Sequence, residues 1–547
     1  MRVDSGKSIK KHCLTGGPFV LLIAITVFTA MDLPVRATLA QQQSPQQQTP
    51  QQKAKESKAA SDRVDRDAKK ALKQGKYDAA LAIYLGVIET DPRDNRARLG
   101  ASFAYLKMQN YAPSFQQAKE VLSIDANNAR AHALAGISLL RSGFIRAAVG
   151  ELQQSLDIDP KEALAHGGAA EIDYYEGRPK DARLKAYYAH NLDPEEPDYL
   201  VTYARASSRV EDFKEAADAY ELFLEISPLS DSERRDRIRG LIQFYRQLAG
   251  LRVHQVGGPE VTEVPFQLGS DRRPYVRVKL NGRDSIFVID TGSGFTVISK
   301  DAAKRFGVTE IARGGKSQGV GGSGKFQIVY GLIKSLQMGE AKIRMIPCFV
   351  RPFHGERDRL PEEKADGFIG LSVLSHFLTE LDYKGNRMRL DRSDNRSALL
   401  GAIPGVTLIP FRTTQNGLIS VETEFDGNPF VNAILDSGAS STVISQAAVD
   451  RLNLGDQIIK GQTTSVIGAA GITENVRMLF IKNCRVADQL QSNLRALVLD
   501  FGAINETSGF EQSGILGGDF LRHFRLTIDF NRALLALQPH TPAPNKQ

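Results

Sequence analysis

The stretch Phe287-Val288-Ile289-Asp290-Thr291-Gly292-Ser293 decides the fold of this chain, because a variant of it occurs a second time. The second copy is Ala433-Ile434-Leu435-Asp436-Ser437-Gly438-Ala439, and both copies run on into Thr-Val-Ile-Ser, at 296–299 and 442–445. One such triplet alone is typical of a turn in which the Asp side chain bonds to nearby backbone. Two copies 146 residues apart (290 to 436) indicate a duplicated unit that supplies one carboxylate from each half.

Each copy is followed by a second matching motif. Gly370 lies 80 residues after Asp290 in the run Gly-Phe-Ile-Gly-Leu, and Gly517 lies 81 residues after Asp436 in the run Gly-Ile-Leu-Gly-Gly. Both motifs lead into a Leu-x-His-Phe tetrad, at 374–377 and 521–524. Together these residues resemble the aspartic peptidase superfamily, and the short lobes are most similar to its retropepsin-like branch. The resemblance covers roughly residues 270–540.

The resemblance implies a mostly-β, bilobal fold in which Asp290 and Asp436 form a catalytic dyad. Two carboxylates held so close share one proton, so that one acts as general base on a water while the other polarises the scissile carbonyl. This chemistry needs no metal and no cofactor, and we expect neither. The glycines of the two turns remove side chains where the lobes approach, and the hydroxyls cross-bond the turns. The supporting residues are Thr291, Gly292, Ser293, Ser437, Gly438 and Ala439.

Two glycine-rich segments are candidates for hairpin flaps over the cleft. The first contains Gly319, Gly321 and Gly322, and the second contains Gly468 and Gly471. Neither contains the Tyr of pepsin-like flaps, and both are also compatible with plain hairpin turns. The first segment matches the Gly-x-Gly-x-x-Gly dinucleotide fingerprint as well, but its flanks are polar and strand-like. Because that fingerprint requires a preceding strand and a following helix, we do not expect nucleotide binding.

The preceding region repeats with a period of 34 residues over roughly 61–230, which resembles five tetratricopeptide repeats. Apolar residues at helical spacing over 238–248 predict a further helix, which either caps the solenoid or docks against the peptidase lobe. Such a solenoid binds a protein partner or serves as a rigid spacer. The positions in register are Pro92, Ala126, Pro160, Pro194 and Pro228, the small residues Ala68, Ser102, Gly136, Ala170 and Ala204, and the small residues Ala80, Ser114, Ala148, Ala182 and Ala216.

The first 40 residues are typical of an export signal. Basic residues precede an apolar stretch at 18–31, which is short for a membrane-spanning helix, and small residues follow. The Gln/Pro-rich segment 41–60 has no means of burying a core. We therefore expect export to a periplasm or cell surface, with contact to the membrane only if the signal stays uncleaved as an anchor at 18–31.

Charge and cysteine content exclude further classes. The formal net charge is +7, but no interleaving of basic and aromatic residues indicates nucleic-acid binding. Cys13 lies in the signal, and Cys348 and Cys484 fall at non-equivalent positions of the two lobes, which favours buried free thiols over a disulfide or a metal site. His376 and His523 occupy matching positions, which indicates a structural role common to both lobes.

The sequence thus predicts an all-α tetratricopeptide solenoid followed by a mostly-β bilobal aspartic peptidase. We expect an exported endopeptidase that acts on a protein or peptide substrate, with the solenoid recruiting substrate or partner. The alternative is a non-catalytic peptide- or protein-binding scaffold with the same fold. The expected segments are a signal at 1–40, a linker at 41–60, repeats with a capping helix at 61–250, a linker at 251–270, and lobes at 271–395 and 406–540.

Overall fold

The computed structural model describes residues 50–317, 326–353, 364–394, 396–401, 406–469 and 471–540, with side chains from Asp62 onward except those of 317 and 397–399. The chain divides into two compact units, Met1–Ala59 and Ala60–Gln547, and the second holds the repeats and both lobes. The expected signal at 1–40, including its apolar stretch, lies outside the described residues. Within the described ranges, no helix is long and apolar enough to cross a membrane.

Consecutive α-helices form the N-terminal part of the structure. The first begins inside the segment 41–60 that the sequence predicts as a linker. The helices are α1 Pro50–Lys73, α2 Tyr77–Thr90, α3 Asn95–Lys107, α4 Tyr111–Ile124, α5 Ala129–Arg141, α6 Ile145–Ile158, α7 Ala163–Tyr175, α8 Pro179–Leu192, α9 Asp198–Arg209, α10 Phe213–Ile226 and α11 Ser232–Leu248.

The small residues of the 34-residue period lie where paired helices cross. In the second repeat, Ser102 of α3 and Ser114 of α4 are fully buried, and the Ser102 hydroxyl donates to the Ser114 carbonyl at 2.8 Å. In the third repeat, a Cβ added to Gly136 would lie 2.7 Å from Cγ of Leu152. Only small side chains allow this close approach, which explains why these positions stay small along the repeats.

The solenoid closes on itself, so that its early repeats meet its late ones. Lys107, at the end of α3, donates to Glu196 at 2.5 Å and to Asp198 at 2.7 Å, next to the start of α9. The hydroxyl of Ser230, just before α11, donates to the carbonyl of Gln74, just after α1, at 3.3 Å. The repeats therefore form a tightly curved superhelix rather than an open array.

The first lobe is built from strands and two short helices. Its elements are β1 Gln255–Gly257, β2 Val261–Leu268, β3 Pro274–Leu280, β4 Arg283–Ile289, β5 Thr296–Ser299, α12 Lys300–Phe306, β6 Thr309–Ser317, β7 Phe326–Met338, β8 Ala341–Arg351, β9 Gly367–Ile369, α13 Leu371–Leu374, β10 Leu378–Asp382 and β11 Arg387–Asp391. The segment 251–270, which the sequence predicts as a linker, contains β1 and β2, and β2 pairs with both β3 and β11.

The second lobe repeats this plan after the helix α14, Arg396–Gly401. Its elements are β12 Ile409–Pro410, β13 Arg412–Thr413, β14 Ile419–Phe425, β15 Val431–Leu435, β16 Val443–Ser445, α15 Gln446–Arg451, β17 Ile458–Gly468, β18 Gly471–Val486, β19 Gln489–Leu499, α16 Gly502–Ser508, β20 Gly514–Leu516, α17 Gly518–Leu521, β21 Phe524–Asp529 and β22 Leu534–Pro539.

Strand register shows the duplication directly. β4 pairs in parallel with β9, so that Ile289 lies opposite Ile369, and β15 pairs in parallel with β20, so that Leu435 lies opposite Leu516. Each Asp-Thr/Ser-Gly triplet thus follows the inner strand of its lobe, β4 or β15. It lies beside the strand that carries the later glycine motif, β9 or β20. A short helix follows each of these motifs, beginning at Leu371 and at Gly518. The mostly-β, two-lobed fold class is confirmed.

A shared sheet joins the two lobes. β10 of the first lobe pairs antiparallel with β21 of the second, with Thr379 opposite Ile528 and Asp382 opposite Arg525. The strand order around this junction is β12-β22-β21-β10-β11-β2. One hydrophobic core cluster contains buried residues of both lobes, including Phe287 and Leu435. Both halves of the duplicated unit are therefore packed together within one chain.

The solenoid packs against both lobes. A Cβ added to Gly240 of α11 would overlap the Cα of Gly314 in β6, so this helix lies directly on the first lobe. Phe244 of α11 stacks on Tyr330 of β7 with ring centroids 4.3 Å apart. At the second lobe, Arg141 at the end of α5 donates to the Gly509 carbonyl at 2.7 Å. The helix expected after the repeats thus contacts α10 and the first lobe together.

A candidate active site between the two lobes

The two Asp-Thr/Ser-Gly triplets meet at the lobe interface. The backbone N–H of Asp290 donates to the Ile369 carbonyl at 3.0 Å, and that of Asp436 donates to the Leu516 carbonyl at the same distance. The strand with the later glycine motif therefore fixes the end of each inner strand. Leu371 N–H then donates to the Ser293 carbonyl at 2.8 Å, and Gly518 N–H to the Ala439 carbonyl at 2.7 Å.

Four hydrogen bonds cross from one triplet to the other. The hydroxyl of Thr291 donates to the Leu435 carbonyl at 2.7 Å and accepts from the Ser437 N–H at 2.9 Å. In the mirror arrangement, the hydroxyl of Ser437 donates to the Ile289 carbonyl at 2.7 Å and accepts from the Thr291 N–H at 3.0 Å. Both hydroxyl residues are fully buried. The cross-bonds fix the separation of the two neighbouring carboxyl groups.

The turn glycines let the carboxyl groups approach. A Cβ on Gly292 would overlap the carboxyl of Asp436, and a Cβ on Gly438 would overlap the carboxyl of Asp290. Each glycine N–H also donates to its own lobe's Asp, at 2.9 Å for Asp290 and 2.8 Å for Asp436. Gly370 and Gly517 have a related role, because a side chain on either would collide with the backbone that follows the Asp turn of the same lobe.

The dyad is electrostatically asymmetric. Burial and the neighbouring charge of Asp436 hold the pKa of Asp290 well above its usual range. Burial also raises the pKa of Asp436, but a hydrogen bond from Asp290 and backbone N–H groups oppose that rise. One of these, the N–H of Ala439, lies 3.0 Å from the Asp436 carboxylate and adds to that of Gly438. The arrangement therefore favours a proton on Asp290 and an ionised Asp436.

Comparison with known families identifies the same region. Residues 276–373 and 421–520 match an aspartyl protease family, and residues 71–137 match the tetratricopeptide repeat. The chain carries an aspartyl protease domain and tetratricopeptide repeats. Among curated proteins, no sequence matches it.

Solved structures similar to this chain include tetratricopeptide repeat proteins. A tetratricopeptide repeat protein from Thermus thermophilus shares 18% identity over 35% of this chain and 99% of its own, with a TM-score of 0.29. YrrB, a repeat protein described as having an unusual peptide-binding site, shares 18% identity over 31% of this chain and 86% of its own, with a TM-score of 0.21. PilF of Pseudomonas aeruginosa shares 16% identity over 36% and 92%, with a TM-score of 0.26.

The second candidate flap of the aspartyl protease domain is a β-hairpin. β17 and β18 pair up to Gly468 and Gly471, which face each other at its tip. Ile467 and Ile472 beside the tip are exposed, and the carbonyl of Ala469 accepts from Arg351 of the other lobe at 3.2 Å. The first candidate flap, with Gly319, Gly321 and Gly322, lies outside the described residues, as does the glycine fingerprint that contains them. The flanking strands β6 and β7 are paired up to Ser317 and Phe326.

Two guanidinium groups beside the dyad are absent from the sequence-based predictions. Arg351 of β8 and Arg273, just before β3, lie 5.7 Å and 5.8 Å from the ring centroid of Phe368. The charge of Arg351 lowers the pKa of Asp290, against the larger effect of burial, and the charge of Arg273 acts likewise on Asp436. The sequence gives an indirect indication of these arginines, because Phe368, the ring that both approach, belongs to the later glycine motif of the first lobe.

A large cavity lies between parts of the solenoid and the aspartyl protease domain. Its volume is about 1330 Å³, and its wall on the lobe side includes Gly292, Ser293 and Gly294, which follow Asp290 and Thr291 in the chain. The solenoid wall carries both signs of charge and several aromatic rings. Among the lining residues there are Phe103, Lys107, Arg141, Glu171, Tyr174, Glu196, Arg205 and Arg209.

The matching histidines of the two lobes have different neighbours. The ring of His376 lies 4.8 Å from that of His254, and burial lowers the pKa of His376 to about 4. His523 instead accepts at its carbonyl from the N–H of His540 at 3.3 Å. Glu211, His254 and His376 form a cluster that sequence reasoning missed, because its members come from three distant segments. The two cysteines of the lobes are buried and free, as expected.

Proposed function

We propose that this protein is an exported aspartic endopeptidase that hydrolyses peptide bonds with the dyad of Asp290 and Asp436. The observation that carries the proposal is the pair of half-buried carboxyl groups, held by four cross-bonds between Thr291 and Ser437 and their opposite strands. A family match to an aspartyl protease over the same residues supports it.

The electrostatic asymmetry of the dyad supports a division of roles between the two acids. Asp436, ionised and bonded by two backbone N–H groups, accepts a proton from the attacking water. Asp290, which holds the shared proton, donates it to the scissile carbonyl oxygen as the water oxygen bonds to the carbonyl carbon. As this tetrahedral species collapses, Asp436 donates its proton to the amide nitrogen, one hydroxyl returns a proton to Asp290, and the C–N bond breaks.

The proposed substrate is an extended peptide lying beneath the β17–β18 hairpin. The exposed side chains of Ile467 and Ile472 at the hairpin tip give this flap an apolar surface toward a peptide. We further propose that a protein partner enters the cavity between the solenoid and the lobes, because its mixed charges and aromatic rings suit a peptide segment and its wall reaches Gly292.

The test uses the full chain with unfolded casein over a range of acidic to neutral pH. Asp290→Asn and Asp436→Asn should each abolish cleavage. Asp284→Asn is the matched control, since Asp284 is exposed and forms only a surface ion pair with Lys279, so cleavage should persist. Activity that survives either dyad substitution would refute the mechanism. Inactivity of the unsubstituted chain at every pH would favour a binding scaffold.

Partner binding and export have separate tests. Arg205→Glu, which reverses a charge on the cavity wall, should abolish capture of envelope proteins by the inactive Asp290→Asn chain. Arg93→Glu, on an exposed turn of the solenoid, should leave capture unchanged. Equal capture by both variants would exclude the cavity as the binding site. For export, N-terminal sequencing of the fractionated protein should find a start near Ala37 to Ala40, and a cytoplasmic protein that retains Met1 would refute it.

A further inference from the structure

A cluster of three potential metal ligands lies where the solenoid meets the first lobe. Glu211 occupies the turn between α9 and α10, His254 precedes β1, and His376 follows α13. One ligand atom from each residue lies within 4.8 Å of the others. The cluster therefore joins the last repeat, the connecting segment and the lobe, and it is separate from the dyad.

The geometry of the cluster is close to that of a metal site. Nδ1 of His254 lies 3.2 Å from Oε1 of Glu211. A tetrahedral zinc ion with bonds of about 2.0–2.2 Å to nitrogen and oxygen separates its ligand atoms by about 3.3–3.6 Å. The Glu211–His254 pair is thus already close to the required separation, and the ligand atom of His376 lies within 4.8 Å of both. Two imidazoles and one carboxylate are a donor set used by zinc and related first-row divalent ions.

Glu211 occupies a turn position that is glycine in three of the other four repeats and Gln109, also with a φ of 61°, in the remaining one. The equivalent turn positions 75, 109, 143 and 177 all have positive φ. Glu211 holds a φ of 61° without that freedom, and His254 holds a φ of 48°. Conformations of this kind are unfavourable for residues with a Cβ, and they persist where other interactions hold them.

Open space adjoins the cluster. All three side chains line the cavity, which leaves room for a water or a further ligand.

We infer that Glu211, His254 and His376 bind one divalent ion of the zinc class, which clamps the solenoid onto the first lobe. The ion takes three protein ligands from three segments, and its fourth position faces the cavity. The ion links the turn between α9 and α10 to the segment between α13 and β10. It thereby holds the solenoid beside the aspartyl protease domain without taking part in peptide hydrolysis.

The test measures metal binding by the full chain without a histidine tag. The protein is freed of metal with a chelator and dialysed against zinc, and bound zinc is counted by mass spectrometry. We expect one zinc per chain, lost in His376→Gln and His254→Gln. His523→Gln, at the matching position of the second lobe, should keep the zinc. Absence of zinc from the unsubstituted chain, or an equal zinc content in all variants, would overturn the inference.

A second variant separates metal binding from folding. Glu211→Gly restores the residue found in three other repeats, so the metal-free variant should melt no lower than the unsubstituted protein. Zinc should raise the melting temperature of the unsubstituted protein and leave that of Glu211→Gly unchanged. Cobalt gives an independent readout, because a tetrahedral site produces strong visible absorption. An equal zinc-induced rise in both proteins, or a cobalt spectrum of the octahedral type, would contradict the proposed site.

Discussion

Removing the hydroxyl of Thr291 while keeping its shape is the sharpest test of the cross-bonded dyad. In Thr291→Val, the Leu435 carbonyl loses a donor at 2.7 Å and the Ser437 N–H loses an acceptor at 2.9 Å. The position is fully buried, so water does not replace either bond. Each unsatisfied buried group costs about 1–3 kcal/mol, and the pair therefore about 2–6 kcal/mol.

The assay compares chemical unfolding and peptide cleavage in Thr291→Val and Thr291→Ser. Serine occupies the equivalent position of the other lobe, so Thr291→Ser keeps both cross-bonds and loses one methyl group, which costs about 1 kcal/mol. We expect Thr291→Val to unfold at clearly lower denaturant concentration and to lose most of its kcat/KM. Equal stability and activity of the two variants would refute the role assigned to the cross-bonds.

Three further predictions follow from the same geometry. Burial and Asp436 raise the folded-state pKa of Asp290, so the stability that this group contributes is present below pH about 4 and is lost as pH rises through the raised value. Asp290→Asn should therefore raise the melting temperature at neutral pH while abolishing cleavage. A lower melting temperature at neutral pH would contradict this sign. Arg351→Gln removes a charge that lowers the pKa of Asp290, so the limb of the pH–rate profile that reports Asp290 should move to higher pH. Arg344 is exposed on the same strand β8, and Arg344→Gln should leave the profile in place. Coincident profiles of the two variants would exclude this effect of Arg351. Gly240→Ala forces a Cβ against Gly314, so it should lower the free energy of unfolding by about 1–3 kcal/mol and expose residues 249–254 to proteases. Gly86 faces open space on α2, and Gly86→Ala should raise the free energy of unfolding by about 0.5–1 kcal/mol. Unchanged protease resistance of Gly240→Ala would show that α11 does not hold the solenoid in place.

The parts of the fold that repeat were predictable from the sequence. The 34-residue period and the paired Asp motifs report local constraints, a close helix crossing and a tight turn, that act on each copy separately. The same residue types are therefore required at the same spacing, as at Ser102 and Gly136, or at Gly370 and Gly517.

The parts that depend on long-range packing were not predictable. The polar alternation of 261–268 suits an exposed linker as well as the strand β2, and only pairing with β11 decides between them. Arg351 reaches the dyad and the opposite hairpin through its position in the folded sheet. Glu211, His254 and His376 lie far apart in the chain, so no spacing rule connects them.

The closure of the solenoid has a consequence for how this protein can evolve. Repeat proteins commonly gain and lose units, because each repeat contacts only its neighbours. Here Lys107 contacts the start of α9, and Gln74 contacts the turn before α11. Arg141 contacts the second lobe, and Gly240 contacts the first. Inserting or deleting one unit would break several of these contacts together. Relatives that keep this closed arrangement should therefore vary in loop length and side chains while keeping five repeats.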